Sequence, residues 1–235
     1  EINNFILEPL ASSHSVLDSN EKNLGVVLID IGGGTSDIVI YHNDSILHTA
    51  AIPLGGESIT KDIAYKFETS LEQAEIIKHN YGIAKSSLAG EEKTITIKGT
   101  NGRDDKEISE KELSIIIEAR MNEIFLLCND EIKKSKQIQK FTFGVVLTGG
   151  GSQLTNITDL AQEKFEMTIK LGIPDSVNGS PNIINNPRYS TSIGIIKYAI
   201  ENEGTIQGEI DNIKKKNFIS TIKKQINIFL KKLNL

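Results

Sequence analysis

Tryptophan is absent from the 235 residues, and aromatic side chains are few, with eight Phe and five Tyr. A chain so poor in flat faces offers no stacking platform for single-stranded nucleic acid. The single cysteine, Cys128, has no second to pair with. That excludes an intrachain disulfide framework and fits a reducing cytosol. Cys128 sits in an apolar helical repeat without a base partner, so it reads as core filler rather than nucleophile. His14, His42, His48 and His79 lack metal-ligand spacing. No apolar run reaches the ~20 residues that a membrane-spanning helix needs, and no signal-peptide pattern precedes the body. What remains, 38% apolar and 24% charged, is the mix of a globular body of one or two domains.

Glycine, in contrast, is concentrated where it can do chemistry. Residues 29–37 read Ile-Asp-Ile-Gly-Gly-Gly-Thr-Ser-Asp between apolar strand patterns at Gly25 to Ile31 and Ile38 to Tyr41. Strand, glycine turn, strand predicts a hairpin tip with no Cβ at Gly32, Gly33 or Gly34. An anion can approach the backbone N–H groups of such a tip closely. Asp30, at the end of the first strand, is placed to hold a hydrated Mg²⁺ beside that anion, and Thr35 adds a hydroxyl. Asp37 either joins the metal or caps the turn. The tip is not a Walker loop, since no Gly-Lys-Ser/Thr and no helix follow it. A plain hairpin needs one glycine, not three between acids.

A second cluster repeats the theme. Phe143 to Leu147 predicts a buried strand, Thr148-Gly149-Gly150-Gly151-Ser152 a glycine loop, and Gln153 to Phe165 a helix with Leu154, Ile157, Leu160, Ala161 and Phe165 on one face. Backbone without side chains can lie flat on a base or ribose, and the N-terminus of that helix favours an anion.

Strand, glycine tip and glycine loop in this order resemble the actin-like ATPase superfamily. Within it the chain resembles the FtsA family of bacterial cell-division proteins. The resemblance is carried by residues 7–13 (LEPLASS), 26–41 (VVLIDIGGGTSDIVIY), 74–84 (AEIIKHNYGIA), Glu118-Ala119-Arg120, 144–154 (GVVLTGGGSQL) and Pro187 to Gly194. Pro53 to Asp62 matches the Gly-Gly turn that opens the next helix. The resemblance implies an α/β fold, an actin-like (ribonuclease H-like) mixed sheet flanked by helices, with an inserted smaller α/β lobe and a C-terminal amphipathic helix. It implies ATP and Mg²⁺ as cofactors. Its nucleotide-binding residues fall on Asp30, Gly32, Gly33, Gly34, Thr35, Gly56, Glu75, Lys78, Gly149, Gly150, Gly151 and Gln153, with Asp30 holding Mg²⁺ through water. Outside that context Glu75 and Lys78 read as a solvated i,i+3 ion pair.

The same resemblance divides the chain. Residues 1–24 end the first actin-like half, with its last strand and helix. Residues 25–57 and 141–200 form the second core, 58–140 the upper lobe, 201–213 a linker and 214–235 the terminal helix. The family's first phosphate loop has no counterpart here, so the chain reads as a fragment, inactive by itself, of a protein with weak ATPase activity at most. Within the upper lobe, helices are expected at Ser58 to Phe67, within Thr69 to Ala84 (buried set Leu71, Ala74, Ile77, Tyr81), and from Glu110 to about Lys136. Ser109 and Glu112 form a capping box for the last. That helix buries Leu113, Ile116, Ile117, Phe125 and Ile132, and Thr94 to Lys98 alternates as a half-exposed strand.

Family partners follow from resemblance too: self-association into filaments, and the carboxy-terminal peptide of FtsZ, the tubulin-like ring protein, for which Asn129, Lys133, Lys134 and Lys136 are candidates. Arg120 stands where the family has a characteristic Arg. A pilus-assembly adaptor and a DnaK-type chaperone are the alternative readings.

Charge is uneven. Residues 214–235 hold seven lysines and no acid, so the net −5 splits into +7 on the tail and −12 elsewhere. At helical spacing Phe218, Ile219, Ile222, Ile226, Phe229, Leu230 and Leu233 share one side, while Lys223, Lys224 and Lys231 lie opposite and Lys232 adds charge. This is the pattern of an in-plane membrane anchor, placed by resemblance on the cytoplasmic face of the bacterial membrane at the division site. A helix docked on its own core has the same pattern. The linker, the missing acids and the terminal position favour lipid, and a nucleic-acid tail would not need the large apolar residues.

Overall fold

Strand and tip form as the pattern predicts. In a computed structural model, which describes residues 5–99, 102, 104–135, 141–175 and 185–202, β1 (Val26–Ile31) and β2 (Ser36–His42) pair antiparallel, Val26 opposite Tyr41 and Ile31 opposite Ser36. Both faces of β1 are covered, so it reads as an unbroken apolar run rather than an alternating one. Val27, Ile29 and Ile31 join the large core; Val26 and Leu28 join a smaller one on the other face.

β3 (Ser45–Ile52) continues the antiparallel meander, and β6 (Val145–Thr148) and β7 (Ile169–Leu171) add parallel strands on the far side. The sheet order is β3-β2-β1-β6-β7. β1 and β6 run in step, Val27 beside Val145 and Asp30 beside Thr148. This mixed five-stranded sheet flanked by helices agrees with the fold class read from the sequence. β3 has no clean alternation, being exposed or half-exposed at every position but Ile52.

On the smaller-core face lies α1 (Glu8–Val16), followed by α2 (Ser19–Leu24), where Asp18 and Glu21 form a capping box. Among the described residues before α1, none is strand: residues 5–7 are irregular.

The larger-core face carries α3 (Gly56–Phe67), α4 (Leu71–Tyr81), α5 (Glu110–Lys134) and α6 (Ile157–Phe165). A two-stranded sheet of β4 (Thr94–Ile97) and β5 (Lys106–Ser109) precedes α5. Ile95 and Ile97 point inward with Ile108, and the capping box at Ser109 and Glu112 forms as expected. On α5, Leu113, Ile117, Phe125 and Ile132 are buried and Ile116 is half-buried; the helix ends at Lys134, two residues early.

Two expectations fail. On α4 only Ala74 and Ile77 are buried, while Leu71 is 56% and Tyr81 38% exposed, because a short helix packed along one neighbour needs a narrow stripe. The helix expected from Gln153 starts only at Ile157. A 3-10 turn over Gly150–Gln153 and a left-handed Asn156 intervene, since consecutive glycines favour tight turns over helix nucleation.

Arg120 has a structural partner. Its Nε and Nη2 reach both oxygens of Asp62 at 2.6 and 2.9 Å, clamping α5 to α3 in the two-pronged geometry that makes Arg–carboxylate pairs strong. The last described helix is α7 (Ser190–Glu201). Residues 6–195 form one compact unit; residues 1–5 and 196–235 form another, of which 5 and 196–202 are described.

Candidate functional site

Because β1 and β6 are parallel neighbours, the loops leaving their ends emerge side by side. Gly149, at φ 85° in the left-handed region, lets the second loop turn directly over Asp30. A Cβ on Gly149 would stand 2.2 Å from Asp30 Oδ1 and 2.6 Å from the Ile31 carbonyl, so only glycine fits.

The first loop is tied from below. The Gly56 and Glu57 amides, at the start of α3, donate to the Gly32 and Gly33 carbonyls at 2.9 and 2.8 Å. This approach requires Gly55, where a Cβ would lie 2.6 Å from both carbonyl oxygens. The tip carbonyls are thus turned toward α3. The Gly32 amide is taken by Thr35 O. Among the described residues, the Gly33 and Gly34 amides have no backbone acceptor.

Between the loops opens a cleft of about 670 Å³, within the size range of small-molecule sites. Asp30, Gly32, Gly33, Gly56, Glu75, Lys78, Gly149, Gly150, Gly151 and Gln153 all line it. The sequence pattern therefore brought ten of its twelve candidates to one surface. Gly34 and Thr35 are not on that wall, and the Thr35 hydroxyl donates to Asp37 at 2.9 Å. Asp37 accordingly serves the turn.

Glu75 and Lys78 are more tightly engaged than a solvated pair. Lys78 Nζ donates to Gly56 O at 2.9 Å, Thr60 Oγ1 at 2.8 Å and Glu75 Oε2 at 2.7 Å, which uses its three protons. Thr60 also donates to Glu75. Burial pushes the Glu75 carboxyl up, but the bonds from Lys78 and Thr60 outweigh it and hold the group below the ordinary carboxylate range. Lys78 thus braces the start of α3, and through it the tip.

Several cleft residues escaped the sequence reading. Ser12 and Thr191 both bond to Asp30 Oδ2. Arg188 runs along Gly150 and, with Lys61 and Lys78, gives the cleft cationic groups. Ile59, Leu71 and Leu154 supply an apolar wall. Glu8 opens onto the cleft, its carboxyl raised by partial burial and by Asp37 and Asp30. The stretches 7–13 and 187–194 held Glu8, Ser12, Arg188 and Thr191, but no local pattern marks them as neighbours.

A family model described as cell division protein FtsA matches residues 27–194. The chain belongs to the FtsA family. It is 41% identical over 203 residues to the cell division protein FtsA of Pseudomonas aeruginosa, covering 86% of this chain and 49% of that protein. Against the Escherichia coli K12 FtsA it is 33% identical over 239 residues, 99% of this chain and 57% of the other. The chain thus spans about half the length of these curated relatives. The fold is actin-like: MreB 5 of Spiroplasma citri bound to AMPPNP superposes with a TM-score of 0.67 at 20% identity, over 87% of this chain and 60% of that one. The type IV pilus PilM–PilN complex gives 0.55 at 17% identity, over 81% and 51%.

The described α5 candidates for the FtsZ peptide are half-exposed or exposed. Asn129 is half-buried, Lys133 pairs with Asp130 at 3.7 Å and Lys134 with Glu131. Lys136 and every candidate membrane residue from Phe218 to Leu233 lie outside the described residues. Among the described residues no helix is long and apolar enough to cross a membrane.

Asp30 is 6% exposed. Burial pushes its carboxyl up and Asp37 adds to the shift, against the bonds from Ser12 and Thr191. A raised folded-state value means that the folded chain holds this proton to higher pH than the unfolded chain. Its contribution to stability is therefore present at low pH, lost as pH rises through the folded value, and absent at neutrality. Asp30→Asn should raise the nucleotide-free melting temperature at pH 7, with the gain vanishing near pH 3. Thermal melts by circular dichroism across that range check this; a lower melting temperature at pH 7 contradicts it.

Proposed function

We propose that this chain is the second actin-like half of a cell-division protein that binds ATP with Mg²⁺, assembles into filaments and links FtsZ polymers to the membrane. One observation carries the nucleotide part: two glycine loops, far apart in sequence, meet over a buried aspartate in a cleft that also holds cationic and apolar walls. The FtsA family match and the AMPPNP and ADP complexes of an actin-like neighbour support the same reading.

The residues fit the cofactors. The Gly33 amide suits a phosphate oxygen, and Arg188 and Lys61 supply positive charge. Ile59, Leu71 and Leu154 suit a base. Asp30 Oδ2 is taken by hydroxyls, while Oδ1 lies against Gly149 and, among the described residues, accepts no hydrogen bond. Mg²⁺ bound there would neutralise phosphate charge. In this reading residues 25–57 and 141–200 are the core, 58–140 the upper lobe, and Gly34 and Thr35 shape the tip.

For partners, the α5 end with Asn129, Lys133, Lys134 and Lys136 meets the FtsZ peptide, and 214–235 lies on the inner face of the cytoplasmic membrane at the septum. Each lysine of that tail adds about 1 kcal/mol near anionic lipid.

Isothermal titration of the full-length protein tests the cleft. Asp30→Ala should weaken Mg²⁺-ATP binding at least about tenfold, the loss of one charged contact; unchanged affinity contradicts the role. Co-sedimentation with anionic liposomes tests the tail: deletion of 217–235 should abolish sedimentation, and equal sedimentation of both proteins rejects the anchor.

A further inference from the structure

We propose that Ser12 and Thr191 are positioning residues for Asp30: their hydroxyls pin Oδ2 and so present Oδ1 to the metal-nucleotide complex. The inference rests on the reading of the cleft as an Mg²⁺-ATP site and assigns work to Thr191, on its wall, and to the buried Ser12.

Ser12, fully buried, sits on α1, and Thr191 in the first turn of α7, 179 positions away. Ser12 Oγ donates to Asp30 Oδ2, and Thr191 Oγ1 donates to the same oxygen at 3.2 Å. The two hydroxyl oxygens are 2.9 Å apart. The three oxygens form a closed triangle holding two protons. With Ser12 Oγ donating to Oδ2, the Thr191 hydroxyl is left as the donor toward both Oδ2 and Ser12 Oγ.

Hydroxyl bonds to a charged acceptor are stronger than those between neutral groups. Two of them on one oxygen remove the freedom of the aspartate χ2, otherwise a soft, two-fold torsion. Oδ1 is then fixed against Gly149, which lines the cleft as Asp30 does. A carboxylate that must hold a hydrated cation gains from such fixing, because no ordering remains to be done when the ligand arrives.

The hydroxyls are themselves held. A Cβ on Gly194 would lie 1.7 Å from Ala11 O, so α1 and α7 touch backbone to backbone next to Ser12 and one turn beyond Thr191. Ser190 bonds Thr148 at 2.6 Å, tying the start of α7 to the end of β6. The separation of the two hydroxyls is thus set by the helix contact, and Asp30 senses it.

The test measures ATP affinity of the full-length protein by titration calorimetry in Mg²⁺ and again in EDTA, and compares the ratio of the two. Ser12→Ala and Thr191→Val should each lower the ratio about three- to tenfold, the worth of one ordinary hydrogen bond, because the loss in Mg²⁺ exceeds any loss in EDTA. Thr191→Ser keeps a hydroxyl and should restore the ratio. A ratio unchanged by either loss, equal losses in both buffers, or no rescue by Thr191→Ser overturns the proposal. If the wild type itself shows no Mg²⁺ dependence, the reading of the cleft falls and this proposal with it. A wild-type dependence untouched by losing the hydroxyls removes the proposal alone.

Discussion

The parallel pairing of β1 with β6 is the constraint on which the site depends. With Asp30 beside Thr148, the two strands end at the same level, and the loops that follow have to share space. A slip by one residue would turn Asp30 to the other face of the sheet and send the Gly149 loop past the wrong neighbour. The register is held by covering both faces: α1 packs one side of β1, and α3, α5 and α6 enclose the other. Apolar burial of about 1.5–3 kcal/mol per large side chain therefore fixes a geometry in which polar groups, on their own, would not stay.

Glycine converts that register into a cleft. Gly55 admits the tip carbonyls to the start of α3, and Gly149 admits the second loop over Asp30. Around them the polar groups are arranged in tiers. Lys78, Thr60 and Glu75 brace the start of α3, while Ser12 and Thr191 brace the carboxylate. The buried Asp30 is a cost to the folded chain, of the kind found at functional sites.

Much of this was legible in the residues. The β1–β2 hairpin followed from two apolar runs around three glycines, the α5 start from Ser109 and Glu112, and the glycine loop from its strand. Ten of twelve candidate nucleotide residues share the cleft. What stayed hidden lacks a local signal. Apart from Ile52, β3 is exposed or half-exposed and not alternating, and β5 has four residues, three of them polar. Gln153 looks helical by its apolar spacing, but the glycines before it close a 3-10 turn first. Ser12 and Thr191 are ordinary hydroxyls in their own segments. Only the crossing of α1 with α7 makes them neighbours, and no periodicity encodes a contact across 179 positions.

Hydrogen–deuterium exchange of the full-length protein with and without Mg²⁺-ATP tests the central claim most directly. If the shared level of β1 and β6 makes one site from two loops, the amides of Gly32–Thr35 and Gly149–Ser152 should slow together on adding nucleotide, with the same concentration midpoint. Slowing of one loop without the other, or of neither, would contradict the account.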